Sequence, residues 1–448
     1  MERLRHWAVI LYKVFFIWLL LQFFLHTFVT FQLGIDHPVF NYIRLRKEWV
    51  IVLFGLLGLL WLLRQRHRRA HFGHRYYPYF FIGFLVAVGL SLIAHFYFVG
   101  ADLTTYLVAF KYDFLWFAIF LVCFHSWLLL NQEQRVDLIK RYGKVIKRML
   151  LLALIWYFVI FVKPWTLKLF GYNNFVFEWV VWSAPPAAYY TLINYGLPRN
   201  QFLFERPTTW WFFLTALWPF FYLLFLHKKP ASETRLRWVI YALNIIVTFS
   251  RAARWTWIIL LVVMPFILYR TQRKRFIIKI WLPIIALITL ISIVWFEKII
   301  NRSYSNYWHL TMVKIWWEMF SQSPLRWVWW ATAWPWSHHG EMVPFNPENQ
   351  FLQVMIEFGL VWFIWWMFLF ASLCRIWIHV YNKHHGWDLS RKLLLWASLG
   401  MLGLAISWMV LHSFADRMVV YPFMALFALI VVYWKDDEAE KMGENSIL

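Results

Sequence analysis

Acidic residues are scarce in this chain, and cysteine is almost missing. Only 22 Asp and Glu accompany 44 Lys and Arg, and charged residues of both signs make up 15% of 448 positions. An ordinary soluble domain carries about 25% charge, so a water-soluble globule of this length is excluded on surface grounds. The two cysteines, Cys123 and Cys374, both fall inside apolar runs. That placement excludes a disulfide framework and a cysteine metal cluster, and leaves core packing as their role. Walker A glycine–lysine spacing is lacking, as is a strand–Gly-x-Gly-x-x-Gly–helix unit, which argues against an ATP-driven pump. No clear internal repeat suggests an inverted-repeat transporter. The ten-residue alternating strands of a transmembrane barrel are missing too.

What is present is hydrophobic residue in bulk, 62% of the chain, gathered into long runs. They lie at about 7–32, 48–63, 77–98, 105–130, 149–170, 208–226, 238–250, 253–269, 277–297, 355–380, 393–412 and 418–434. A run near 20 residues crosses about 30 Å of hydrocarbon as a helix. Inside that core every backbone N–H and C=O must be bonded within its own segment, so the runs are helices. Arg251 and Arg254 split the 238–269 region, and a charge at bilayer centre is expensive, so this region is expected to form a hairpin with its arginines at one membrane face. The expected fold class is an all-α polytopic membrane protein with about 12 transmembrane helices. It forms a single integral membrane domain over 1–448, with 298–354 as a large extracytoplasmic loop between helices 9 and 10. The first apolar run is too long for a signal-peptide core and has no small-residue cleavage site, so it is expected to stay attached as a membrane helix.

Net charge is +22, which in a soluble protein would suggest nucleic acid. Here position matters more than the sum. Five arginines occupy 64–75, six basic residues occupy 131–148 and five occupy 270–279. Basic residues concentrate in short cytoplasmic loops, so both termini are expected inside, with no nucleic-acid partner. Four segments then share the outer face: 164–207, the Ser250–Arg251 turn, the 298–354 loop and the 412–417 turn. The last holds His412, Asp416 and Arg417, a group that can simply close the helical bundle. Lys111 and Asp113, within the fourth run, read as a mutual ion pair near the outer mouth.

Aromatics are abundant: 34 Trp, 22 Tyr and 45 Phe. Some belong to interfacial belts. The outer loop is especially rich, with Trp308, Trp316, Trp317, Trp327, Trp329, Trp330, Trp334 and Trp336. These indoles either rest among lipid headgroups or offer flat faces for sugar rings. The stretch from His309 to Phe320 reads as a helix that runs into Ser321-Gln-Ser-Pro324. A Trp- and His-rich irregular segment follows, and then Pro347-Glu348-Asn349, which suits a helix start.

These elements, in this order, resemble the bacterial O-antigen ligase and O-antigen, capsule or exopolysaccharide polymerase family. Glu348 to Gly359, with its aromatic-Leu-Gln, acidic residue and Gly-Leu, is similar to the signature before that family's membrane span. Phe249-Ser-Arg251-Ala-Ala-Arg-Trp resembles its Ser-Arg turn between two spans, and Ser323-Pro324 its loop-helix ending. Arg199 to Pro207, with Asn200, Phe202 and Arg206, is similar to an Arg-x-x-Gly-x-Phe-x-x-Pro-Asn element, but lacks the glycine. Ligases carry a histidine where this chain has Glu348 and an arginine where it has His309, so the likeness is nearer the polymerase branch. The resemblance covers roughly 195–380 and implies a GT-C-like glycosyltransferase fold in the bacterial cytoplasmic (inner) membrane.

The implied reaction is an inverting, metal-independent transfer of a glycan from undecaprenyl diphosphate to an acceptor sugar hydroxyl on the outer face. It needs no cofactor. It needs a base for the hydroxyl and positive charge for the departing diphosphate. Arginine suits the second task because its planar fork binds phosphate bidentately and stays protonated. The candidates are Arg251, Arg206 and Arg199, then Arg254 and Arg302, with Asn349 and His309 as further substrate contacts. Glu348 is the candidate base, and His338 and His339 are its rivals. A metal site from His338, His339 and Glu341 lacks the usual spacing. The implied partners are undecaprenyl-diphosphate-linked donor and acceptor glycans, membrane lipids and a chain-length regulator protein. Two other readings stand beside the polymerase: a ligase that transfers finished polysaccharide to lipid A core or another terminal acceptor, and a non-enzymatic glycolipid flippase. A flippase should carry its charges along the spans, and here they gather on one face.

Overall fold

The computed structural model describes residues 6, 7, 9–11, 14, 86, 115–169, 172–176, 187–190, 198–202, 204, 207–226, 231–248, 303–322, 324, 349, 351–356, 360, 363, 364, 367, 371, 389–408 and 417–441. They are mostly helical. In chain order the elements are α1 (Leu115–Trp127), α2 (Gln132–Val162), α3 (Thr166–Leu169), β1 (Tyr172–Val176), β2 (Ala187–Tyr190), α4 (Pro207–Leu226) and α5 (Ala231–Ile246), followed by α6 (Ser303–Gln322), α7 (351–356), α8 (Leu389–Trp408) and α9 (Arg417–Lys441).

The middle of the core is α9. From Val419 to Trp434 every side chain is buried, and a helix that is apolar all round belongs inside a bundle. It packs against α1, α8, α4 and α2. Trp127 at the end of α1 is fully enclosed, and its indole N–H donates to the Ala425 carbonyl at 3.0 Å. The α4–α8 contact is close because Gly400 has no side chain: a Cβ there would lie 2.4 Å from the Ala216 carbonyl oxygen. Serines in these apolar helices bond their own backbone. Ser398 Oγ donates to Leu394 O at 2.8 Å and Ser407 Oγ to Gly403 O at 2.7 Å, so these two hydroxyls need no partner from water.

The longest of the described helices, α2, begins earlier than its apolar run. Asn131 caps it: its Oδ1 accepts from the Gln134 backbone N–H at 2.9 Å, and Gln134 Oε1 accepts from the Asn131 N–H at 3.1 Å. That reciprocal pair is a capping box. Residues 132–148, expected as part of a cytoplasmic loop, are therefore helix continuous with the apolar part of α2. The helix stops at Val162, where Lys163 N–H bonds back to Val159 O and Pro164 follows, because proline cannot extend the ladder. The run read as 149–170 thus breaks at Pro164, and α3 is a separate turn. Of the described helices, α2 is long and apolar enough to cross a membrane, and shorter apolar helices cover Ala118–Trp127, Leu393–Ser407 and Val419–Trp434. The described residues include one small sheet, in which β1 and β2 pair in parallel with an irregularity between Tyr172 and Asn174. It falls in the 164–207 segment that the sequence assigns to the outer face. The runs at 48–63, 253–269 and 277–297 lie outside the described residues.

Candidate functional site

Two pairs of sequence elements come together. In the first pair, Arg199–Phe204 folds against the end of α5. The Asn200 backbone N–H donates to Val247 O at 2.7 Å, and Arg199 Nε donates to Thr248 O at 3.0 Å. Thr248 is the third residue before Arg251 in sequence, and Phe249 to Arg251 lie outside the described residues.

The anchor is built on buried amides. Asn200, Gln201, Asn244 and Thr248 are all fully enclosed. Asn244 Nδ2 donates to Leu150 O of α2 at 3.0 Å and to Ile240 O at 2.9 Å. Asn200 Nδ2 makes longer contacts of 3.5 Å with Ala153 O and Asn244 Oδ1, while its Oδ1 accepts from the Phe202 N–H at 3.0 Å. An amide buried in an apolar bundle stabilises only when its partners are met, so these contacts fix one arrangement of α2, α5 and the 198–204 segment.

The chain must turn tightly there, and Phe202 takes φ 49°. This left-handed conformation is unfavourable for a side chain with a Cβ. Packing offsets the strain: the Phe202 ring lies 5.4 Å from Trp210, Phe204 lies 5.4 Å from Trp210 and 5.2 Å from Phe213, and Trp210 stacks on Phe213. Position 202 is the third after Arg199, where the Arg-x-x-Gly element would place its glycine. The missing glycine therefore falls where the backbone asks for one.

In the second pair, α6 lies along α7. Trp316, Met312 and Ile356 form a buried cluster, and Trp316 Nε1 donates to Leu352 O at 3.1 Å. Leu360 N–H donates to Pro324 O at 2.9 Å, which joins the Ser323-Pro324 ending to the Gly359-Leu360 step. Asn349 is a helix cap: its Oδ1 accepts from Phe351 N–H at 2.9 Å and Leu352 N–H at 3.1 Å. Its amide oxygen is thus committed to the start of α7. Gln353 of the aromatic-Leu-Gln signature is fully buried.

The sequence candidates fare unevenly. Arg199 and Asn349 are placed as above, and Arg199 is half-buried. His309 lies within α6, which starts six residues earlier than expected, at Ser303. Glu348, His338, His339, Arg206, Arg251, Arg254 and Arg302 lie outside the described residues, as do His412, Asp416, Lys111 and Asp113. Arg417 opens α9. Of the adjacent indoles, Trp316 is packed away, while Trp317 is 59% exposed. Cys123 is buried. No group of three His, Cys, Asp or Glu able to hold a metal occurs among the described residues.

Sequence reasoning passed over Asn244 and Gln201. Asn244 carried a signal, since it is a lone amide inside the apolar run 238–250. Compared with protein-family models, curated proteins and solved structures, the chain gives no match in any of the three.

Proposed function

We propose that this chain is a polymerase of undecaprenyl-diphosphate-linked oligosaccharide repeat units, working on the outer face of a bacterial cytoplasmic membrane. Its architecture on this reading is multi-pass, with about twelve spans, both termini cytoplasmic and a GT-C-like arrangement. The observation that carries the reading is the joining of Arg199 to Thr248. Arg199, chosen from sequence as diphosphate-binding, meets Thr248, 49 residues away and one residue before the Phe249–Arg251 element in sequence, through a guanidinium and a carbonyl. The bond between Pro324 and Leu360 lends the same support to the loop-helix and Glu348–Gly359 elements.

In the proposed reaction the acceptor sugar hydroxyl attacks the anomeric carbon, and Glu348 takes its proton. The bond from that carbon to the diphosphate oxygen breaks, and Arg251 with Arg199 and Arg206 meets the charge that develops on the leaving group. One preorganised donor of this kind contributes about 3 kcal/mol, and base catalysis adds roughly 10²–10⁴-fold. The test is chain growth in cells that express stable variants. Glu348→Gln and Arg251→Ala are each expected to reduce polymer at least a hundredfold. Full-length polymer from both would overturn the assignment.

A further inference from the structure

The exposed face of α2 changes character once along its length. Lys140, Lys144, Lys147 and Arg148 are exposed in its first half. Leu151, Ile155, Phe158 and Val162 are exposed in its second half. Steps of three and four place residues on one helix face, and 140, 144, 147, 151, 155, 158 and 162 follow such steps without a break. The opposite stripe, which includes Leu138, Tyr142, Ile146, Met149, Ala153 and Tyr157, is buried against the bundle. A single outward ribbon is thus cationic and then apolar.

Two acids, Glu133 and Asp137, continue the same steps toward the start of α2, against the four cations. Asp137 pairs with Arg141 at 2.6 Å, and Arg141 lies beside the ribbon. From Arg148 to Lys163 the exposed face carries no charge. Those fifteen steps at 1.5 Å rise span about 22 Å, short of the ~30 Å hydrocarbon core. Lysine and arginine close such a gap by laying their stems along apolar surface and lifting their charges to headgroup depth. In a bilayer Lys147 and Arg148 would do this at one end and Lys163 at the other, where the exposed Trp165 suits the interface. Lys144 and Lys140 would then lie about one and two turns outside the hydrocarbon, at phosphate level.

We propose that this ribbon is a docking site for anionic phospholipids. The lipid phosphates would lie on Lys140, Lys144, Lys147 and Arg148, and the acyl chains would run along Leu151, Ile155, Phe158 and Val162. The inference stands apart from the reaction proposed above and needs only that α2 crosses a bilayer.

The test uses the full chain in detergent, equilibrated with mixed micelles holding equal phosphatidylglycerol and phosphatidylcholine, and then quantifies the lipid retained by mass spectrometry. Basic residues near a membrane surface each add attraction for anionic lipid, so phosphatidylglycerol should be retained about tenfold over phosphatidylcholine. A Lys140→Gln, Lys144→Gln, Lys147→Gln, Arg148→Gln variant should bring the ratio near parity. Neutralising Lys228, Lys229, Arg235 and Arg237 instead should leave most of it. If the first variant does not fold, the unaltered chain decides: raising NaCl from about 0.1 to about 1 M shortens the screening length from ~10 to ~3 Å and should lower the ratio several-fold. Equal retention of the two lipids by the unaltered chain, a ratio insensitive to salt, or equal loss from the second variant set would each overturn the proposal.

Discussion

Phe202 holds the one positive φ of a non-glycine residue among the described positions, and two opposed effects meet there. Its ring belongs to the aromatic cluster with Trp210 and Phe204, so truncation to alanine should destabilise by about 3–5 kcal/mol. Glycine loses the same packing but removes the Cβ strain, worth roughly 1–2 kcal/mol in this conformation. Phe202→Gly should therefore unfold at a higher temperature than Phe202→Ala in detergent, an inversion of the usual order. If alanine is the more stable, the strain is absent. The neighbouring Arg199 has its Nε–H turned toward Thr248 O, so a lysine there would keep the charge but lose both the tether and the bidentate fork.

Among the elements, α6 separates two roles that look alike in sequence. Trp316 is 8% exposed and hydrogen-bonded to α7, whereas Trp317 is 59% exposed. Trp316→Ala should lower stability by about 3–5 kcal/mol. Trp317→Ala should leave stability nearly unchanged, and if its indole supports a sugar ring it should reduce polymer yield. Thermal unfolding of the two variants checks the first contrast, and equal destabilisation would contradict it. Gly400 tests the α4–α8 contact. A methyl there must displace the Ala216 carbonyl or the Phe423 ring, so Gly400→Ala should destabilise by about 1–3 kcal/mol, again read by thermal unfolding. An unchanged melting temperature would mean the helices sit farther apart.

Legibility also divides by element. The helix α4 was plain, because the apolar run 208–226 directly follows Pro207, an N1 proline pre-set for a helix. The start of α2 was missed because its exposed cations, taken together, resemble a solvated loop. The buried spacing of Leu138, Tyr142 and Ile146 and the Asn131–Gln134 cap were the signal for helix. The β1–β2 pair was illegible, since parallel partners from separate short segments leave no local pattern. For the site, the order of the motifs was readable, but not the amide network under Asn200 and Asn244, whose partners are backbone carbonyls with no identity in sequence.

At the scale of the whole molecule, the central claim is a direction of chemistry: glycan joins glycan with loss of a lipid diphosphate, outside the membrane. On that reading the basic loops would orient the chain and the α2 ribbon would set its depth. The most direct measurement adds purified protein to one lipid-diphosphate-linked repeat unit, supplied as both donor and acceptor, and resolves the products by size. The account predicts a ladder of lengthening chains with undecaprenyl diphosphate released at each step, lost in the Glu348→Gln variant. Repeat units that remain monomeric, or transfer only to an acceptor without lipid diphosphate, would contradict it.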